Sequence, residues 1–406
     1  MPDLMNVLIV AALAFAVPFT LGLVPGLRLP AVALEIVAGI VIGPSVLGWV
    51  TVDGPLRVFS LVGLSFLLLI AGLEVDFDRL RGRTLQLALA GFGLSFGLAL
   101  AAGYLLKAGS LVKSPLLVAI ALSATGLGIV IPILKDAGEI ETTFGQLVVA
   151  AASVAEVGTI VLRSLFFSGE SSRVGAKLVL LFAFLGLVAA VGFFIAASER
   201  SMRLSGVLVR LQDTTAQIRV RAAFVLLVGF TVAAERFGAE AILGAFLAGA
   251  IIRLVDRDQA MTHPQFRLKL EAAGFGVFVP FFFVVSGIRF DGQALFASGS
   301  IVARVPLFLA VLLIVRGLPA LVFRKVADRP RLVAAGLLQA TSLGFFVVVS
   351  QLGQSLGLIT AANGAALVAA GLLSVLAFPL GAVTILRQAG ASGSERPIDP
   401  ARLAET

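Results

Sequence analysis

Long apolar runs, separated by short polar segments, make up most of the chain. One of them, LALAGFGLSFGLALAAGYLL (87–106), carries no charged residue. A membrane-spanning β-strand needs about 10 residues of alternating character, whereas a spanning helix needs about 20 that are mostly apolar. The runs are long and do not alternate, so the pattern predicts an all-α, polytopic membrane protein.

The pattern predicts about thirteen spans, of which 239–255 is short and 114–134 is interrupted by small polar residues. The N-terminus carries an acid and no basic residue, so we expect the first run to be a span rather than a signal peptide. We expect a membrane domain over 1–386 and a short polar cytoplasmic tail over 387–406. The predicted spans are 4–24, 30–48, 57–75, 86–107, 114–134, 145–167, 176–197, 219–236, 239–255, 272–288, 301–323, 330–352 and 360–386.

The composition agrees with repeated membrane crossings. Hydrophobic residues make up 59% of the chain and charged residues 13%, with a mean hydropathy of +1.08. A soluble domain is about half apolar and about a quarter charged. The net charge of +8 does not indicate a nucleic-acid partner, because the chain has no soluble basic domain. The absence of cysteine excludes disulfides and thiolate metal sites.

Lysine and arginine are concentrated in alternate loops. Clusters such as Arg79 with Arg81, or Arg324 with Lys325, fall on the same predicted side, and the opposite side holds fewer basic residues. Cytoplasmic loops carry an excess of Lys and Arg. We therefore expect an N-terminus outside the cell and a cytoplasmic C-terminus.

Three short segments recur in the same order. Each pair lies seven predicted spans apart, and because seven is odd, the two copies face opposite ways across the membrane. Inverted repeats of this kind are typical of secondary transporters. The pairs are EIVAGIVIGP (35–44) with AILGAFLAGA (241–250), FLLLIAGLEVDF (66–77) with PFFFVVSGIRFD (280–291), and SATGLGIV (123–130) with QATSLGFF (339–346).

The third pair is the most informative, because small and polar residues interrupt both copies at mid-span. Such interruptions at matching places indicate unwound helices that line a binding site. Freed carbonyls and hydroxyls there can coordinate a small cation. The alternative interpretation is that the small residues only allow close helix packing. The residues concerned are Ser123, Thr125, Gly126, Gly128 and Pro132 in the first copy, and Thr341, Ser342 and Gly344 in the second.

Two ionisable residues lie near the centre of predicted spans. Glu156 is central in 145–167 and Arg316 is near the centre of 301–323. An isolated charge at that depth costs about 3 kcal/mol or more, and such residues are usually functional. The two charges could neutralise each other. A purely structural ion pair is the alternative, although apolar replacements of such pairs are often neutral or stabilising.

These segments resemble those of the cation:proton antiporter family 2, which includes Kef-type proteins and bacterial Na⁺/H⁺ exchangers. The resemblance is carried by EIVAGIVIGPSVLG (35–48), FLLLIAGLEVDFDRLR (66–81) and AILGAFLAGAII (241–252), and by the order of the spans. It implies an antiporter-like fold with two broken, crossing helices, here 114–134 and 330–352. It also implies interleaved core and dimerisation helices, and a homodimer.

The resemblance also implies which residues bind the ion. The family carries an Asp-Asp or Asn-Asp pair, which corresponds here to Ala155 and Glu156, and a basic residue that corresponds to Arg316. The first acid is therefore replaced by alanine. The late broken helix has Ser342-Leu343 where Kef-type members usually carry Gly-Glu or Ser-Glu. We expect Glu156 to be the metal-binding carboxylate, with Ser123, Thr125, Ser153, Thr341 and Ser342 as further candidate ligands.

The sequence thus predicts an electroneutral exchanger of Na⁺ or K⁺ for H⁺ in the plasma membrane of a bacterium. We expect no enzymatic activity and no cofactor besides the transported ions. One alternative is a symporter for a small organic anion, with Arg316 binding the carboxylate. Another is a non-transporting membrane sensor or partner subunit, suggested by the missing first acid. A separate regulatory subunit is left open.

Overall fold

The computed structural model describes residues 4–23, 31–74, 82–140, 142–167, 174–199, 217–237, 241–255 and 265–392, and within these ranges the chain is helical with no strand. The α-helices, in chain order, are α1 (Met5–Leu23), α2 (Ala31–Ile42), α3 (Gly54–Glu74), α4 (Gly82–Ala108), α5 (Pro115–Ser123), α6 (Leu127–Asp136), α7 (Thr143–Phe167), α8 (Val174–Glu199), α9 (Ile218–Arg236), α10 (Ala241–Val255), α11 (Gln265–Ala273), α12 (Val279–Ile288), α13 (Gly292–Phe296), α14 (Gly299–Val302), α15 (Arg304–Gly317), α16 (Arg329–Gln339), α17 (Gly344–Ser355) and α18 (Ala361–Ser392). A π-helical turn, Gly274–Phe278, joins α11 to α12, and a 3₁₀-helix, Leu318–Phe323, continues α15.

The predicted all-α, polytopic fold is confirmed. Within the described ranges, eight helical stretches are long and apolar enough to cross a membrane, and three shorter apolar helices accompany them. The outer surface is apolar as well: Phe15 is 68% exposed, Leu105 74% and Phe193 77%. Large exposed apolar areas are unusual on a protein surrounded by water. This surface suits contact with lipid chains.

The chain forms two compact units, each built from two separate stretches. Unit 1 comprises 1–77 and 160–290, and unit 2 comprises 78–159 and 291–406. The chain passes from unit 2 into unit 1 within α7. The interleaving of core and dimerisation helices, expected from the family resemblance, stays a prediction.

Unit 1 contains two close helix crossings that glycine makes possible. Where α3 meets α10, a Cβ at Gly72 would lie 3.1 Å from the Cα of Gly249 and would overlap the carbonyl of Phe246. Where α2 meets α12, a Cβ at Gly287 would lie 2.9 Å from the Cα of Gly39. Small residues let helix backbones approach in a membrane, where association depends on packing rather than on the hydrophobic effect.

The two crossings correspond to each other under the predicted inverted repeat. The repeat pairs α2 with α10 and α3 with α12, and the structure packs α3 on α10 and α2 on α12. Exchanging the two copies turns one crossing into the other. The packing of unit 1 therefore agrees with the repeat read from the sequence.

Unit 2 contains both interrupted spans. The span predicted at 114–134 is divided into α5 and α6, and the span at 330–352 into α16 and α17. Side chains cap two of these helices: Ser114 accepts a hydrogen bond from the backbone N of Leu117 at 3.3 Å, and Asp328 accepts one from Arg331 at 3.2 Å. Such caps satisfy backbone donors that a helix start leaves unpaired.

Several sequence predictions fall outside the described residues. These include the basic cluster of Arg79 and Arg81 and the segment 393–406 of the predicted tail. The last helix, α18, continues to Ser392 and so enters the segment predicted as a tail. The orientation of the termini stays a prediction.

Replacing glycine by alanine should have opposite effects at a helix crossing and at a site away from the crossings. Gly72→Ala should lower the free energy of unfolding by about 1–3 kcal/mol, because the new methyl group meets backbone that cannot rotate away. Gly229→Ala in α9 is the matched control. Its Cβ would meet no atom within 4 Å, so the better helix former should be neutral or stabilising by about 0.5–1 kcal/mol.

Thermal unfolding of the purified protein in detergent, followed by circular dichroism, measures both effects. Equal melting temperatures for the two variants would contradict the close approach of α3 and α10.

Candidate functional site

The two helix interruptions of unit 2 bind each other. Ala124, Thr125 and Gly126 separate α5 from α6, and the segment 340–343 separates α16 from α17. The backbone N of Gly126 donates to the carbonyl of Thr341 at 2.8 Å, and the Thr125 hydroxyl donates to the carbonyl of Gln339 at 2.8 Å. The broken, crossing helices that the sequence predicts are confirmed by these contacts.

The physical reason for this contact is the demand of an apolar environment. A helix end leaves backbone donors and acceptors without intrahelical partners, and lipid supplies none. Here each break provides partners for the other. The second break is also tied to α18, because the backbone N of Ser342 donates to Ser374 Oγ at 3.2 Å and this hydroxyl donates to the carbonyl of Gly371 at 2.7 Å.

Arg316 lies at this crossing and is 1% exposed. Its Nε donates to the carbonyl of Gln339 at 3.2 Å, its Nη1 donates to Ser95 Oγ at 3.1 Å, and its Nη2 donates to the Thr125 hydroxyl. One guanidinium therefore links α15 to α4 and to both breaks.

The position of Arg316 also has an electrostatic basis. The carbonyl that it binds belongs to the last residue of α16, where the helix dipole places partial negative charge and a cation is stabilised. The three oxygens that accept these hydrogen bonds are neutral groups. An ion pair with Glu156 is not among these contacts, and the predicted neutralisation of the two charges stays a prediction.

Glu156 lies midway along α7, in unit 2, and is partly buried. One of its carboxylate oxygens is fully buried, and its neighbour Ala155 is completely so. The hydroxyl of Thr159 donates to the carbonyl of Ala155 at 2.8 Å and to that of Glu156 at 3.0 Å. These bonds are local to α7 and stabilise the turn that carries the carboxylate.

Helix α4 is in contact with the helices of both charged residues. Ser95 accepts from Arg316 and donates to the carbonyl of Val315 at 3.0 Å. One turn earlier, the ring of Phe92 packs so closely on Gly158 of α7 that a methyl group there would overlap it. Residues three apart share a helix face, so one face of α4 positions the turns that carry Arg316 and Glu156.

The other predicted site residues have different surroundings. Ser123 and Thr341 are buried, and each hydroxyl donates within its own helix or to its end, at 2.7 Å to Ala119 and at 3.2 Å to Leu337. Ser153 is buried in α7. Gly128 and Pro132 lie within α6 rather than in the interruption, and Gly344 is the first residue of α17.

Two buried polar atoms at the second break have no hydrogen-bond partner among the described residues: Ser342 Oγ and Gln339 Nε2. Buried polar groups nearly always have a partner. A hydroxyl oxygen can coordinate a small cation or bind water. Ser342 Oγ is thus available to a ligand, whereas the hydroxyl of Thr125 is occupied by Arg316 and Gln339.

Sequence reasoning missed Ser95 and Gln339. Each is a lone polar side chain in an otherwise apolar stretch, LALAGFGLSFGL for Ser95 and LVAAGLLQA for Gln339. A single hydroxyl or amide in a membrane span commonly makes hydrogen bonds between helices. That signal could have marked both residues, although it would not have identified Arg316 as their shared neighbour.

Comparisons with known proteins identify the family to which these features belong. The sequence profile of the family described as "Sodium/hydrogen exchanger, transmembrane" matches residues 11–388. The chain is 29% identical over 92% of its length to the putative Na⁺/H⁺ antiporter YjbQ of Bacillus subtilis, and it spans 62% of that relative's length. It is 24% identical to the Na⁺/H⁺ antiporter of Enterococcus hirae, covering 87% of this chain and 90% of the relative.

A solved structure has a similar fold. The sodium proton antiporter MjNhaP1 from Methanocaldococcus jannaschii superposes with a TM-score of 0.64 at 16% identity, over 96% of this chain and 98% of that one. At this identity the likeness concerns the fold. Because the family profile covers nearly the whole chain, the protein belongs to the transmembrane sodium/hydrogen exchanger family.

Proposed function

We propose that the protein exchanges a monovalent cation, Na⁺ or K⁺, for protons across the plasma membrane of a bacterium by alternating access. The observation that carries the proposal is the crossing of two broken helices, fastened by Arg316, in the same unit as the carboxylate of Glu156. Interrupted helices at matching places in inverted repeats are where such transporters bind their ions. The relatives named as Na⁺/H⁺ antiporters support the choice of ions.

Glu156 is the group that we expect to hold either the cation or the proton. Arg316 cannot exchange a proton, because a guanidinium does not deprotonate in proteins. Ala155 has no titratable group. A single carboxylate that binds one cation or one proton exchanges them one for one, so the transport should be electroneutral.

The hydrogen bonds distinguish among the candidate hydroxyl ligands. The hydroxyl of Thr125 bonds to Arg316 and Gln339 and therefore maintains the crossing. The Ser342 hydroxyl is buried without a partner in the described chain. We therefore assign Ser342, with carbonyls of the interrupted segments, as the better cation ligand and Thr125 as a positioning residue.

We assign the core role to unit 2, which contains both broken helices and Glu156, and the dimerisation role to unit 1. A homodimer is expected from the family resemblance, and no cofactor beyond the transported ions is needed.

Symport of an organic anion on Arg316 is disfavoured, because its guanidinium already donates to Ser95, Thr125 and Gln339.

Glu156→Gln should abolish exchange while the protein still folds, because glutamine is nearly isosteric but cannot ionise. The measurement is cation-driven proton flux in proteoliposomes with a pH-sensitive dye, using Li⁺, Na⁺, K⁺ and Rb⁺. Glu235→Gln, at the exposed end of α9, is the charge-matched control and should retain wild-type flux.

Wild-type exchange by Glu156→Gln would refute the assignment of the site. If the wild-type protein gave no flux with any cation, a non-transporting role would be favoured instead.

The one-carboxylate mechanism also predicts that membrane potential has no effect on the rate. Sodium-driven proton flux in liposomes whose potential is clamped by K⁺ and valinomycin should be the same at either polarity. A flux that followed the applied voltage would mean that a second charge moves in each cycle.

Arg316→Ala should lower the free energy of unfolding by about 3 kcal/mol, because buried acceptors at the crossing lose their charged donor. Arg316→Lys should keep only part of the activity, because an ammonium group lacks the planar fork that reaches several oxygens at once. Ser95→Ala removes one of the three acceptors and should cost about 1 kcal/mol. Thermal unfolding and transport assays compare the three variants, and an Ala variant with normal stability and flux would contradict the role given to Arg316.

A further inference from the structure

A groove of about 620 Å³ lies on unit 2 between α4 and the 3₁₀-helix. Its volume is within the range of about 300–1,000 Å³ that small-molecule sites occupy. The walls are apolar and include Leu87, Leu94, Leu318 and Leu321, and three basic residues complete the lining: Arg83, Arg324 and Lys325.

The basic residues collect at one end because the two helical segments run antiparallel. Ser95 is bonded to Val315, and a methyl group at Gly91 would lie 3.8 Å from the ring of Phe323. Moving toward the start of α4 therefore means moving toward the end of the 3₁₀-helix. Arg83 is in the first turn of α4, and Arg324 and Lys325 follow Phe323 directly.

A groove with apolar walls and basic residues at one end suits an amphipathic anion. Leu94 is 47% exposed and Leu321 55%, so the groove offers its apolar walls to the surroundings. The first turn of α4 contains no acidic residue, and the start of a helix carries partial positive charge. A soluble anion would use only the basic end, whereas a phospholipid would use the basic end with its phosphate and the leucines with an acyl chain.

We propose that this groove binds an anionic phospholipid, with its phosphate among Arg83, Arg324 and Lys325 and one acyl chain along the leucines. The 3₁₀-helix continues α15, and Leu318 lies two residues after Arg316. A bound lipid therefore stabilises the turn next to the crossing of the broken helices. An effect of this stabilisation on ion exchange rests on the proposed function, but the binding of the lipid does not.

Native mass spectrometry of the purified protein tests the binding directly. The protein is exchanged from detergent into mixed micelles that contain phosphatidylglycerol or phosphatidylcholine of the same chain length. We expect retention of phosphatidylglycerol over phosphatidylcholine. Each basic residue beside an anionic headgroup contributes about fivefold in affinity, so the double variant R324Q/K325Q should bind phosphatidylglycerol about 25-fold more weakly.

The charge-matched control is the double variant K107Q/R329Q, which removes two exposed basic residues that do not line the groove. It should retain the lipid as the wild type does.

Leu321→Trp fills the groove without changing the charge and should weaken binding of phosphatidylglycerol. Thermal unfolding checks that each variant is folded, and added phosphatidylglycerol should raise the melting temperature of the wild type and the control only.

Equal retention of the two lipids, or equal weakening by R324Q/K325Q and K107Q/R329Q, would overturn the proposal. Both readouts are independent of ion transport, so a failure here is distinguishable from a failure of the proposed exchange activity.

Discussion

The hydrogen bonds of Arg316 hold together the part of the structure on which the proposed activity depends. A break in a membrane helix exposes backbone groups that lipid cannot satisfy. In this protein the two breaks satisfy part of this demand through Gly126 and Thr341. Arg316 supplies further donors, and its charge is matched to the carbonyl end of α16. An unwound segment thus exists at membrane depth because other protein groups replace the missing helical bonds.

The same constraint explains why neutral polar residues matter here as much as charged ones. Ser95, Thr125 and Gln339 place oxygens around the guanidinium, so the buried cation is solvated by the protein. A buried charge without such partners would be too costly to keep. With the arginine occupied in this way, the proposed mechanism assigns the proton-coupled chemistry to Glu156. Because position 155 is alanine, the proposed exchange uses a single carboxylate at this pair.

Unit 1 solves a different problem, since it has to pack apolar helices in an apolar medium. Its solution is close backbone contact at Gly72 with Gly249 and at Gly39 with Gly287. These two crossings are equivalent under the inverted repeat. A repeat that folds onto its own inverted copy gives a scaffold whose halves are built in the same way, which is an architecture typical of secondary transporters.

The sequence by itself determined the helical, polytopic class, the pattern of the repeat and which two spans are interrupted, although it extended the first interruption to Gly128 and Pro132, which lie within α6. These features depend on hydrophobic run length and on small residues, which are local properties of the chain. It also marked Glu156 and Arg316, because charges at mid-span are rare. Only the tertiary structure decided what Arg316 binds, since Ser95, Thr125 and Gln339 are far apart in sequence and meet through helix packing. It likewise separated the occupied hydroxyl of Thr125 from the available one of Ser342, a difference of hydrogen-bond geometry that no sequence pattern records.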